Sequence, residues 1–268
     1  IIAVKEKKDT VLRIAASLEK SSEHPLAEAI VKKAKNIPLG KVIGFNAVPG
    51  YGIEGKIGKV SYVFGNQRLL HREKVDFKVY QKQIEALEEE GKTVMLLASK
   101  KQLLGMIAVA DTIKESSPKA VAQLKELGIN VYMITGDNER TANAIAKKVG
   151  IDNVFAGVLP EDKANYVKKL QKEGAVAMVG DGINDAPALA QADVGIAVGS
   201  GTDVAEETSD IILVNSNPKD IANLILFGRA TYNKMIQNLW WAAGYNILAI
   251  PLAAGVLYQW GIMLSPAI

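Results

Sequence analysis

Apolar positions recur at helical spacing near the start of the chain. Val11, Ile14, Ala15 and Leu18 predict a helix over Asp9 to Lys20, and Leu26, Ile30 and Ala34 a second over Pro25 to Lys35. Short β-like runs follow at Lys41 to Val48, Ile53 to Ile57 and Val60 to Phe64, separated by Gly and Pro. Tyr80 to Glu90 reads as a helix, and Thr93 to Ser99 with Leu103 to Val109 as a hairpin around Lys100-Lys101. Hairpin strands flanked by helices predict an α+β unit with a largely antiparallel sheet over residues 1 to 108.

After Asp111 the rhythm changes. Helical patterns at Thr112 to Leu127, Asn138 to Val149 and Pro160 to Lys172 alternate with apolar runs at Asn130 to Ile134, Val154 to Ala156 and Ala175 to Val179. Val194 to Val198 and Ile211 to Val214 complete the β runs. Regular alternation of strand and helix predicts a doubly wound parallel sheet over 109 to 217. Pro218 to about Arg229 leads into a segment without charge from Met235 to Ile268. Its stretch Leu239 to Leu264 would reach about 39 Å as a helix, enough to span a ~30 Å hydrocarbon core. Trp240 and Trp241 at one end, with Tyr258 and Trp260 at the other, suit membrane interfaces, and Lys219, Arg229 and Lys234 put the N-terminal side in the cytoplasm. A buried core helix is the alternative.

At 268 residues with 49% apolar and 23% charged content, the chain is sized for two domains and is not disordered in bulk. No cysteine is present, which excludes disulfides and thiolate metal sites within it. The net charge of +3 is split, +7 over residues 1 to 108 and −4 over the rest. A basic first part suits an anionic ligand and an acidic second part a cation, although solvated faces would give the same count.

Candidate chemistry gathers where strands end. The run Ala175 to Val179 stops at Gly180-Asp181-Gly182-Ile183-Asn184-Asp185-Ala186-Pro187. Two carboxylates, Asp181 and Asp185, crowd one sheet mouth, and a hard cation such as Mg²⁺ would neutralise them. A turn followed by a helix cap is the plain reading. Val131 to Ile134 runs into Thr135-Gly136-Asp137, a hydroxyl and backbone amides suited to a phosphoryl group, or simply a capped helix. Lys163 near a helix start opposes the macrodipole, so it implies an anionic partner unless it is only solvated. Hydroxyl, ammonium and metal carboxylates on one sheet edge are equipment for phosphoryl transfer.

Thr135-Gly136-Asp137, Lys163 and Asp181 through Pro187 resemble successive motifs of the haloacid dehalogenase superfamily in its P-type ATPase version. Ser22-Glu23-His24-Pro25-Leu26 resembles the His-Pro motif of heavy-metal P-type ATPases, and Gly50-Tyr51-Gly52 with Gly65-Asn66 the glycine positions of their nucleotide domain. Trp241 to Asn246 followed by Pro251 to Gly255 is similar to a membrane helix of copper-type members. The resemblance implies ATP bound by Glu19, His24, Gly50, Gly52, Gly65 and Asn66, with Gly136 and Asp137 near the phosphates. It also implies Thr135 bonding the phosphoryl group, Lys163 neutralising it, and Asp181 with Asp185 holding Mg²⁺. Seen alone, His24-Pro25 reads as a helix start and Gly50-Tyr51-Gly52 as a tight turn.

The family's nucleophile sits in an Asp-Lys-Thr-Gly-Thr string, and this sequence has none. Family order puts it on a strand before Ile1, so the chain is expected to be a fragment that lacks this strand, the actuator domain and other membrane helices. As given, it is not expected to phosphorylate itself. The resemblance implies a multi-pass membrane protein with residues 1 to 234 in the cytoplasm, membrane lipid as a neighbour and no nucleic-acid partner. Its transported heavy-metal ion is expected to be copper, with zinc, cobalt or silver as alternatives. Tyr245 and Asn246 are candidate contributors to the ion site, or hydrogen-bond donors to neighbouring helices. Outside this class stand a membrane-anchored nucleotide module without turnover and a soluble phosphatase.

Overall fold

The computed structural model describes residues 1–22, 25–110, 112–181, 185–199, 207–215 and 217–261. The chain divides into two compact units, Ile1–Asn217 and Pro218–Ile268.

The first unit opens with a six-stranded antiparallel sheet whose strands are β1 (Ile2–Ala3), β2 (Val42–Val48), β3 (Gly52–Ile57), β4 (Val60–Gly65), β5 (Thr93–Ser99) and β6 (Gln102–Val109). Their spatial order is β1-β6-β5-β4-β3-β2. Strand alternation sends side chains to opposite faces, and here both faces are covered. Helices α1 (Lys8–Glu19) and α2 (Pro25–Lys33) pack Val11, Ile14, Leu18 and Ile30 against Ile53, Phe64, Leu97 and Ile107. On the other face, α3 (Gln67–Arg72) and α4 (Gln81–Glu89) bring Leu69, Leu70 and Ile84 onto Val94, Leu96 and Met106. Burying each such side chain contributes about 1.5–3 kcal/mol, so the two apolar layers hold this sheet from either side. The β5–β6 turn places Lys100 and Lys101 at φ 48° and 60°, the left-handed pair that a two-residue hairpin demands.

Beyond β6 lie α5 (Ser117–Glu126), β7 (Tyr132–Ile134), α6 (Glu139–Val149), β8 (Asn153–Phe155), α7 (Lys163–Leu170), β9 (Ala177–Gly180), α8 (Ala186–Gln191), β10 (Val194–Val198) and β11 (Ile211–Leu213). All strand pairs here are parallel. Among the described residues they form two ladders, β7-β8 and β11-β10-β9, rather than the single continuous sheet expected. Ile134 of β7 nevertheless packs on the cluster formed by Val167, Met178, Ala188 and Leu189, which ties both ladders to one apolar centre. Helix α5 begins at Ser117, not Thr112, because Pro118 lacks an amide hydrogen and is tolerated in a first turn but not further in.

The second unit contains a helix of 36 residues, Pro218–Ala253. The expected unbroken apolar helix over Leu239 to Leu264 is corrected: the helix stops at Ala253. Gly255 adopts φ 80°, and the Val256 amide reaches back to the Pro251 carbonyl, the closing bond of a left-handed C-cap. The helical part from Leu239 onward is 15 residues long, roughly 22 Å. It also carries Trp240, Trp241, Tyr245 and Asn246. Among the described residues, no helix is long and apolar enough to cross a membrane.

Candidate functional site

Two pairs of side chains stand out in the parallel part. Strand β7 delivers Thr135 and Asp137 into a turn that the backbone closes twice, Val158 N to Thr135 O at 3.0 Å and Gly157 N to Asp137 O at 2.7 Å. The Thr135 hydroxyl donates to Asp137 Oδ2 (3.0 Å) and accepts from the Asp137 amide (3.1 Å). Thr93, from β5, donates to Asp137 Oδ1 at 2.7 Å, so both carboxylate oxygens are engaged. Gly136 lies within the turn, where a Cβ would meet the Val158 carbonyl at 3.5 Å, an ordinary contact. Asn138 then caps α6 by accepting from the Thr141 amide at 3.0 Å, which fixes where the helix starts.

The second pair is Lys163 with Asp185, Nζ to Oδ1 at 2.5 Å, their side chains only 16% and 13% exposed. Lys163 opens α7, where its charge opposes the macrodipole, and Asp185 supplies an anionic partner that the sequence did not identify. Asp185 also precedes α8, and its carbonyl receives the Ala188 and Leu189 amides. Gly180, at the end of β9, is what lets the carboxylate in, because a Cβ there would lie 2.6 Å from both Asp185 Cβ and Oδ2. Asp181 follows on an exposed position. Residues 182–184 of the expected metal loop lie outside the described residues. Among the described residues, no three His, Cys, Asp or Glu side chains converge on a metal position.

The expected nucleotide residues gather in part. Gly52 and Gly65 stand opposite each other across β3 and β4. Asn66 binds this corner together: its amide donates to Tyr51 O (2.9 Å), its Nδ2 to Gly50 O (2.8 Å), and its Oδ1 caps α3 at Leu69 N (3.1 Å). A Cβ on Gly50 would overlap the Leu159 side chain, so the glycine corner abuts the segment that precedes α7. His24 lies outside the described residues.

Glu19, at the end of α1, is buried, and its Oε2 has no hydrogen-bond partner among the described residues. Burial pushes its carboxyl above the ordinary value, and a hydrogen bond with Ser22 opposes part of that rise. The folded chain therefore holds this proton more tightly than the unfolded chain. The associated stability is present below the unfolded-state value and is lost as pH rises through the raised one. Glu19→Gln is expected to flatten this slope, so that the variant melts higher than its parent near neutral pH and the two converge at about pH 4. Melting curves across that window check it, and equal slopes in both chains would count against an ionised Glu19.

Sequence reasoning missed a junction between α4 and α6. Glu88 is buried and receives Gln67 Nε2 at 2.9 Å and Asn138 Nδ2 at 3.1 Å, with Arg140 Nη1 at 3.5 Å. Burial raises its pKa, against the hydrogen bond from Gln67 and the charge of Arg140. The Thr141 hydroxyl adds a bond to Lys92 O at 3.0 Å. These contacts fasten the cap of α6, and so the Thr135–Asp137 turn, to the antiparallel part. The only local sign was a Glu on the apolar side of a helix, which spacing alone does not distinguish from a surface charge.

Tyr245 and Asn246 are exposed neighbours on the long helix of the second unit. Successive helical residues point about 100° apart, so the two do not share one face.

Residues 3–193 match the family model of haloacid dehalogenase-like hydrolases. The chain belongs to that family. It is 48% identical over its whole length to the copper-exporting P-type ATPase B of Archaeoglobus fulgidus, and 52% identical over 95% of its length to the copper-exporting P-type ATPase of Bacillus subtilis. Those alignments cover 39% and 32% of the two relatives, so the chain spans less than two fifths of the length of either. A crystal structure of a zinc-transporting PIB-type ATPase in the E2.Pi state superposes with a TM-score of 0.63 at 35% identity, covering 97% of this chain and 42% of that one. The resemblance to heavy-metal P-type ATPases thus extends along nearly the entire sequence.

Proposed function

We propose that this chain is the ATP-binding and phosphorylation region of an ATP-driven copper transporter. The reading rests on the Lys163–Asp185 pair and the Thr135–Asp137 turn, both in the parallel part of a chain about half identical to copper-exporting P-type ATPases. Copper is favoured over zinc because those relatives are closer in sequence than the zinc-transporting structure at 35%.

In this reading residues 1 to 108 hold ATP, 109 to 217 carry the phosphoryl chemistry, and 218 to 268 belong to the membrane part. Glu19, His24, Gly50, Gly52, Gly65 and Asn66 receive the nucleotide, with glycines allowing its approach to the backbone. Thr135 and the amides around Gly136 and Asp137 orient the phosphoryl group, and Lys163 neutralises it. Asp181 and Asp185 fit Mg²⁺, because both offer hard oxygen donors next to the end of β9. Bound there, the ion would supply charge neutralisation for the transferring phosphoryl group. Tyr245 and Asn246 contribute to an ion site completed by other helices of the full-length, membrane-embedded protein, where lipid and an actuator domain are further neighbours.

Calorimetry with ATP tests the reading on the chain itself. ATP is expected to bind without Mg²⁺ being essential, and His24→Ala to weaken binding by roughly 1–3 kcal/mol, the range for a lost stacked and hydrogen-bonded anchor. A chain that takes up no ATP, with or without Mg²⁺, would end the proposal.

A further inference from the structure

We infer that Arg68 reads the polyphosphate of the bound nucleotide, an assignment that rests on the ATP-binding reading above. Arg68 is the second residue of α3, the helix that leaves directly from the Gly65-Asn66 corner. Asn66 locks that start to Gly50 and Tyr51, so Arg68 is held at a fixed reach from the glycine pocket. At its other end the side chain lies over Gly157: a Cβ there would come within 3.0 Å of Arg68 Nη2 and 3.8 Å of Cζ. Gly157 is the residue whose amide holds the Asp137 carbonyl, and its φ of 66° turns the backbone beneath the guanidinium. One side chain therefore joins the corner expected to hold the nucleotide to the turn expected to hold its terminal phosphoryl.

The charge is also available. Arg72, one turn further along the same helix, is taken up by Glu54 and Glu73, and Arg140 by Glu85 and Glu88. Arg68 is exposed and, among the described residues, enters none of the ion pairs. Both Asp137 oxygens, the nearest acidic group of the turn that Gly157 closes, are occupied by Thr93 and Thr135. A guanidinium offers a planar fork matched to two phosphate oxygens, a geometry that an ammonium cannot reproduce. Seated between the two half-sites, it distinguishes a nucleoside triphosphate from a monophosphate.

The test compares ATP and AMP titrated into the 268-residue chain and into its Arg68→Ala and Arg68→Lys variants. Expected is a loss of about tenfold in ATP affinity for Arg68→Ala, with AMP affinity held within about twofold and Arg68→Lys intermediate for ATP. Equal weakening of ATP and AMP would show that Arg68 only supports the glycine corner, and unchanged ATP affinity would show a plain surface arginine; either overturns the inference alone. Failure of the unsubstituted chain to bind ATP would remove the ATP-binding reading and this one with it.

Discussion

Lys163→Ala is expected to destabilise the first unit by up to about 3 kcal/mol, the lower end of the range for stripping one partner from a buried ion pair, because this pair is part-buried. Asp185 keeps only 13% of its side-chain surface in solvent, so without the ammonium its charge has little water to turn to. Gly180 lies close behind the same carboxylate, with no space for even a Cβ between them. Asp185→Asn removes the acceptor charge and leaves the ammonium, 16% exposed, on a stem long enough to reach solvent, so it should cost less. Replacing both residues by apolar ones of similar size should recover most of the loss, because the pair's attraction is largely spent on desolvating two ions. Mg²⁺ should also restore part of the stability of Lys163→Ala, since a cation binding the folded form takes over the vacated carboxylate. Urea denaturation of the four chains, with and without Mg²⁺, checks this. A Lys163→Ala chain as stable as its parent would mean that the two groups are not paired in solution.

Much of the frame could be read from the residues. The periodic runs of α1, α2 and α6 each became a helix within two residues of the expected ends, with Asn138, expected inside α6, serving as its cap. The hairpin around Lys100-Lys101 was legible from two apolar runs that flank a polar pair. What escaped depends on distant parts of the chain. Helix α3 is six residues long, too short for a period to show, and it is held by the Asn66 cap and the burial of Leu69 and Leu70. Strand β1 has two residues and exists because β6 offers an edge. Thr135 and Lys163 were singled out as candidates through their motifs. The bond between Lys163 and Asp185 was not, because 22 residues separate them and only the packing of α7 on α8 brings them together. The apolar tail misled in another way: composition suggested one continuous helix, whereas Pro251 and Gly255 supply a stop.

Gly52→Ala should have an effect of similar size by a different route. Gly52 has φ 145°, where only glycine is comfortable, and a side chain there carries about 1–3 kcal/mol of strain. Its Cβ would also overlap the Phe64 carbonyl and lie 2.5 Å from Gly65 Cα. Both neighbours are backbone, so no rotamer change relieves the clash and the β3–β4 ladder itself has to open. Phe64 cannot yield easily, because its ring is fully buried between the sheet and α1. Overpacking of this kind adds about 1–3 kcal/mol. Gly58, in the turn between the same two strands, separates the two contributions: its φ is 62°, yet nothing lies within 4 Å of a Cβ there. Gly58→Ala should therefore cost about 1–2 kcal/mol, strain alone, and leave ATP affinity unchanged. Gly52→Ala should lose the larger amount together with nucleotide binding, because the corner that Asn66 fastens to Gly50 and Tyr51 is displaced. Denaturant midpoints and ATP titrations on both variants decide the matter. Equal destabilisation would show that backbone conformation, and not the close approach of Gly52 to Gly65, is what the glycine is there to allow.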